Sequence, residues 1–265
     1  MAHIQCAFFS ETLQISTRVE VILPQATKSQ IRMVGRSGLR RGHPVLYLLH
    51  GASDDQSIWM RRTSIERYAS EKGLAIIMPF GARSYYTDMN QGHAYFTFFT
   101  EELPRLMCSF FPLSAKREET FVAGLSMGGY GALKMALTYP ERFGAVASLS
   151  GVVDVTAWAL RASKDDPFRQ KEFLTIFGNP STIRGSRHDL FTLSAKLKRS
   201  GKRIPKLYFC CGTEDFLYQD NLTFKAHLER IKIPFRYEEG PGQHQWDYWD
   251  QQIQRVLNWL PLKTA

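Results

Sequence analysis

Three side chains far apart in the chain have the types and order needed for nucleophilic chemistry: a hydroxyl at Ser126, a carboxylate at Asp215 and an imidazole at His244. Ser126 is the centre of Gly124-Leu125-Ser126-Met127-Gly128, a Gly-x-Ser-x-Gly pattern. The β-prone Thr120-Phe121-Val122-Ala123 precedes it, and a helical stretch from Tyr130 to Leu137 follows. In that context the pattern predicts a nucleophile elbow, a sharp strand-to-helix turn that lifts the hydroxyl clear of the sheet. Gly124 and Gly128 are required where a Cβ would collide with the returning backbone. The next helix then points the positive end of its dipole, and free N–H groups, at any developing oxyanion. A Gly-x-Ser-x-Gly match also arises by chance in turns; the strand before and the helix after are what distinguish this one.

A serine hydroxyl needs a base to remove its proton, and the base needs an acceptor to fix its tautomer. In α/β-hydrolases the acid and then the histidine follow the serine, each on a loop after a later strand. Asp215 follows the strand 206–211, and His244 follows the strand 234–238, in that order. Glu214 is the rival acid, and Asp215 could alternatively cap a helix. Among the seven histidines, His93 near the presumed mouth is the main rival base. His50 is a candidate substrate contact, His3 belongs to the N-terminal strand, and His43, His188 and His227 are expected in loops or at the surface. The expected oxyanion donors are the backbone N–H of Met127 and, from the turn after the strand 45–49, that of Ala52, with Gly51 second. Trp59, Tyr85, Tyr86, Phe96, Met127 and Trp246 fall near loops that should surround the serine. Trp59, Tyr86, Phe96 and Trp246 are the candidate substrate contacts, against the ordinary alternative that such aromatics simply fill the core.

The elements that must position these groups alternate. An antiparallel opening pair (6–9 and 13–23) precedes buried strands at 45–49, 74–78, 120–123, 145–150, 206–211 and 234–238. Helices are expected at 64–72, closed by Gly73; at 95–110, bent at Pro104, which lacks the ladder N–H; at 219–230; and at 246–260. Punctuation by Pro167, Gly178, Pro180 and Gly185 suggests a small helical insertion near 155–200 over the strand ends. The expected fold is therefore α/β, an α/β-hydrolase fold with a mostly parallel central sheet flanked by helices, in one domain over 1–265.

At 44% hydrophobic residues the chain can form a real core. No apolar run is long enough to span a bilayer, and the N-terminus has no signal-peptide pattern, so a cytoplasmic protein without membrane attachment is expected. Cys6, Cys108, Cys210 and Cys211 show no metal-binding spacing, and no metal or cofactor is expected. Cys210 and Cys211 are strand neighbours on opposite faces, which argues against a mutual disulfide. The net charge of +9 raises a polyanion-binding reading. Its two basic clusters, Arg32 to Arg41 and Lys196 to Arg203, lack interleaved aromatics and are expected to be solvated surface, with no nucleic-acid partner. The sequence leaves oligomeric state open, a homo-oligomer included.

With these residues in view, the chain resembles the tributyrin-esterase branch of the esterase D and carbohydrate-esterase group of α/β-hydrolases. The resemblance runs through Val45 to Gly51, Ser57-Ile58-Trp59, Tyr85 to Asp88, Glu101 to Pro104, Ala123 to Gly131, Cys211 to Tyr218 and His244 to Trp249. It implies a cofactor-free serine esterase acting on short acyl esters, including acetylated sugars in some members. Two departures stand out: a longer Arg-rich segment at 25–43, and Tyr130 where S-formylglutathione hydrolases usually carry histidine. Thiolester and feruloyl ester substrates stay open as alternatives, as does a non-catalytic binding protein of the same fold.

Overall fold

The computed structural model describes residues 1–25 and 42–262. The first basic cluster, within 26–41, lies outside the described residues. Strands β1 (Ala2–Ser10) and β2 (Ile15–Leu23) form the antiparallel opening pair. They are followed by β3 (Val45–Leu49), helices α1 (Ile58–Arg62) and α2 (Ile65–Ser70), and β4 (Ala75–Pro79). Next come α3 (Tyr95–Thr97), a π-helical turn Phe98–Glu102, and α4 (Leu103–Phe110). The elbow strand β5 (Thr120–Leu125) leads into α5 (Met127–Thr138) and then β6 (Ala145–Leu149). Helices α6 (Val155–Ala162), α7 (Pro167–Phe177) and α8 (Leu190–Ser200) form the helical stretch before β7 (Lys206–Gly212). The chain closes with α9 (Tyr218–Arg230), β8 (Arg236–Gly240) and α10 (Trp246–Trp259).

The strands form one eight-stranded sheet in the order β1-β2-β4-β3-β5-β6-β7-β8. β1, β2 and β4 pair antiparallel, and every pair from β4–β3 to β7–β8 is parallel. Burial follows from this topology. Edge strand β1 alternates partly buried and exposed residues, whereas β3, β4 and β6 are buried at every position because helices cover both faces. Two apolar layers result, one on each side of the sheet.

The opening strand starts earlier than expected, at Ala2, α1 was not expected, and two further differences have local reasons. The expected bent helix 95–110 is three pieces, with a π-helical turn just before Pro104. Proline has no N–H to offer the Thr100 carbonyl four residues earlier, and Arg142 donates to that carbonyl instead. β8 runs two residues later than expected; its pairing starts at Tyr208↔Arg236, after a turn with Lys232 at φ 55°. The second basic cluster ends α8 and its exit loop, with Lys198 donating to the Lys232 carbonyl and Arg203 to Glu118.

Candidate active site

The parallel strands bring their C-terminal ends to one edge of the sheet, where open α/β folds hold ligands. Ser126 sits between β5 and α5 with φ 52° and ψ −118°, a conformation non-glycine residues rarely adopt. Its N–H donates to the Leu149 carbonyl and its carbonyl accepts from Tyr130 and Val152, so the strained turn is tied on both sides. A Cβ on Gly124 would come within 2.5 Å of the Gly128 backbone, and one on Gly128 within 2.6 Å of the Leu49 carbonyl oxygen. Strand and helix can meet this closely only because neither glycine has a side chain.

His244, on the loop between β8 and α10, places Nε2 2.9 Å from Ser126 Oγ. Its Nδ1 lies 2.8 Å from Asp215 Oδ2. An ionised carboxylate can only accept, so this pairing puts the ring proton on Nδ1 and leaves Nε2 free to accept from the serine. Asp215 Oδ1 accepts from the Leu217 N–H at 2.9 Å, which fixes the carboxylate in its loop. Its side chain is fully shielded from solvent, while that of His244 is 16% exposed. The ring is braced by Phe216, with centroids 4.4 Å apart, and by the edge of Trp249 at 4.9 Å. Ser126 and His244 both line a cavity of about 400 Å³, the size of a small-molecule site. The rival groups lie elsewhere: Glu214 accepts from the Gly242 N–H, and His93 is exposed and lines no part of the cavity.

Met127 is the first residue of α5, so its N–H belongs to the unpaired first turn of the helix. Gly51 and Ala52 line the same cavity. The Asp54 carboxylate sits beside Gly51, with Oδ2 3.1 Å from where a Cβ on Gly51 would stand, and burial holds that carboxyl above the usual range. Ala52 is held from its other side: Arg83 Nη1 donates to its carbonyl at 2.9 Å.

Of the four aromatic residues expected to touch substrate, only Trp246 lines the cavity. Trp59 is fully buried behind it; its indole donates to the Leu49 carbonyl and its ring meets Trp246 edge-on at 5.1 Å. Tyr86 is also fully buried, packed against Gly131 of α5, with its hydroxyl donating to the His50 carbonyl. Phe96 stacks on Tyr139 and carries Lys134 Nζ 4.6 Å above its ring, away from the cavity. These three are structural. In their place Tyr85, Trp158 and Phe216 form aromatic walls, and the Trp158 indole donates to the Tyr85 hydroxyl at 3.0 Å.

The histidines also differ from expectation. His50 is buried and does not face the cavity; Gly81 donates its N–H to Nε2. His43 and His188 lie in loops as expected and His227 in α9, but all three are buried, and His188 lies 3.2 Å from the buried amine of Lys134. The charged side chains Asp54, Arg83 and Arg169 on the cavity wall had no recognisable motif. Among the described residues no cluster of histidine, cysteine, aspartate and glutamate could hold a metal ion.

Fold and site together define a serine hydrolase of the α/β-hydrolase type. The family model "Putative esterase" matches residues 10–260, and the chain belongs to that esterase family. An acetyl esterase of Caldicellulosiruptor saccharolyticus is 33% identical, with the alignment covering 98% of each chain. Two solved structures from Staphylococcus aureus are each 40% identical and cover 98% of both chains. One is the fluorophosphonate-binding serine hydrolase FphF, with a TM-score of 0.86; the other is an S-formylglutathione hydrolase, FrmB, with a TM-score of 0.83.

Proposed function

We propose that this esterase hydrolyses short-chain carboxylic esters, acetyl to butyryl, through an acyl-enzyme formed on Ser126. The carrying observation is the relay of 2.9 and 2.8 Å from Ser126 through His244 to Asp215, opening on a small-molecule cavity. Ser126 Oγ attacks the carbonyl carbon as its proton passes to His244 Nε2. The carbonyl π pair moves to oxygen, where the N–H groups of Met127 and Ala52 receive the charge. Gly51, which has the Asp54 carboxylate beside it, is the weaker candidate. Collapse breaks the bond to the leaving oxygen, which takes the proton from His244. Water then repeats the sequence, with His244 as base, and releases the acid. Asp215 keeps the imidazole oriented and stabilises its charged form. Trp246 supplies part of the apolar wall against which a short acyl or alkyl group would pack. The aromatic walls and the 33%-identical acetyl esterase both support short acyl groups.

The test is Ser126→Ala on 4-nitrophenyl esters of graded acyl length. The expected result is a loss of at least a thousandfold in kcat with a retained fold, and a wild-type optimum between acetyl and butyryl. Retained turnover in a clean preparation would remove Ser126 as nucleophile. A second reading, a thiolesterase acting on S-formylglutathione, is favoured by the 40%-identical hydrolase of that name. The ratio of kcat/KM on that thiolester to kcat/KM on 4-nitrophenyl acetate separates the two, and acetylated xylo-oligosaccharide and a feruloyl ester complete the panel. All four cysteines are free thiols, which supports a reducing compartment, the cytoplasm.

A further inference from the structure

The cavity wall built by α7 and the loop after β4 carries two guanidinium groups, Arg83 and Arg169. Both are anchored on one carboxylate. Glu172 Oε1 receives Arg83 Nε, and Oε2 receives Arg83 Nη2 at 3.0 Å and Arg169 Nη1 at 3.1 Å. Glu172 itself is withdrawn: its side chain is 9% exposed and does not line the cavity, whereas Arg83 and Arg169 are 37% and 33% exposed.

The two cations differ in what remains unused. Arg83 spends its third nitrogen on the Ala52 carbonyl. Arg169 makes a single side-chain bond, and its Nε and Nη2 have no protein partner among the described residues. Glu172 supplies one carboxylate to two guanidiniums, and Asp166, which caps α7, spends its Oδ1 on the Arg169 backbone N–H, not on the guanidinium. Asp54, the acid elsewhere in the lining, forms no ion pair with either guanidinium among the described residues; Arg83 and Arg169 both pair with Glu172. A guanidinium with a free edge, pre-positioned in a concave site, matches the planar geometry of a carboxylate.

We propose that Arg169, oriented by Glu172, is a substrate-binding residue that receives a carboxylate group carried by the ester, so that the favoured substrates are acidic esters. This rests on the reading of Ser126 as the nucleophile of the same cavity. Glu172 acts as a positioning residue, because it holds Arg169 at the wall without lining the cavity.

Two matched pairs of esters test the proposal and locate the acid. 4-Acetoxybenzoate and its methyl ester place a charge, or none, on the leaving group. The 4-nitrophenyl monoester of adipic acid and 4-nitrophenyl hexanoate do the same on the acyl side. In one of the pairs the wild-type enzyme should favour the charged member by about tenfold in kcat/KM, mainly through KM. Arg169→Gln should bring that ratio to about one, and Arg169→Lys, which keeps the charge but loses the fork, should fall between. A wild-type ratio of one or less in both pairs overturns the subsite. So does a ratio that Arg169→Gln and Arg169→Lys both leave unchanged. Failure of the wild-type enzyme to turn over the neutral esters refutes the esterase reading itself, and the subsite with it.

Discussion

Replacing Asp215 with asparagine tests the tautomer assignment, because the structure dictates which way the new amide must face. Asp215 Oδ1 accepts from the buried Leu217 N–H at 2.9 Å. Asparagine can keep that bond only with its carbonyl oxygen there, which turns its NH2 toward His244 Nδ1. A donor facing Nδ1 moves the ring proton to Nε2, where it confronts Ser126 and cannot accept. Flipping the amide restores the working tautomer but leaves the Leu217 N–H unpaired, at about 1–3 kcal/mol. The charge that stabilised the imidazolium is lost as well, worth about 1.5–3 kcal/mol for a charge-assisted bond. Together these raise the barrier by about 2.5–6 kcal/mol, roughly 70-fold to 25,000-fold in kcat. Steady-state hydrolysis of 4-nitrophenyl acetate at neutral pH, with circular dichroism to confirm the fold, is the assay. A loss smaller than about tenfold in a folded variant would refute the tautomer argument.

Three further outcomes follow from named contacts. Gly128→Ala forces a Cβ to 2.6 Å from the Leu49 carbonyl oxygen, so it should cost at least about 2 kcal/mol of stability by urea unfolding, or prevent folding. His50 is 1% exposed and burial lowers its pKa to about 4; Gly81 donates to its Nε2, and Nδ1 meets the Gly51 carbonyl, so the folded state holds the ring neutral. Its contribution is present above pH 6.5 and is lost as pH falls toward 4, because the unfolded chain takes the proton first; about 3 kcal/mol should disappear over that window, and His50→Gln should make the urea-derived stability–pH curve shallower, with His43, His188 and His227 supplying the remaining slope. His93→Ala should leave kcat/KM within about twofold, since the ring is exposed and lines no part of the cavity.

What the sequence made legible was the local and the ordered. The elbow is written within five residues, because two missing side chains and one strained φ are needed in one turn. Asp215 and His244 follow from chain order, since each must leave the sheet at the same edge. The aromatic walls were legible only in part, at Tyr85 and Trp246, and not at Trp158, Phe216 or Trp249. Tyr85 and Tyr86 are adjacent and share φ values of 50° and 49°, yet only Tyr85 lines the cavity, while Tyr86 fills the space above Gly131. That distinction depends on the shape of α5, not on either residue type. Arg83, Arg169 and Glu172 escaped notice because their cluster joins a loop after β4 to a helix of the 155–200 stretch, some ninety positions away along the chain. His188 lies in a loop as expected, but its burial was not legible because its surroundings are supplied by Lys134, Thr87 and Phe177 from other elements.

The central claim is that the hydroxyl at Ser126 becomes covalently bonded to the group being transferred. Labelling with a fluorophosphonate, followed by intact-mass and peptide mass spectrometry, tests this most directly. One adduct per chain is predicted, on the peptide containing Ser126, lost in Ser126→Ala and strongly slowed in His244→Ala. An adduct on another residue, or undiminished labelling of Ser126→Ala, would contradict the account.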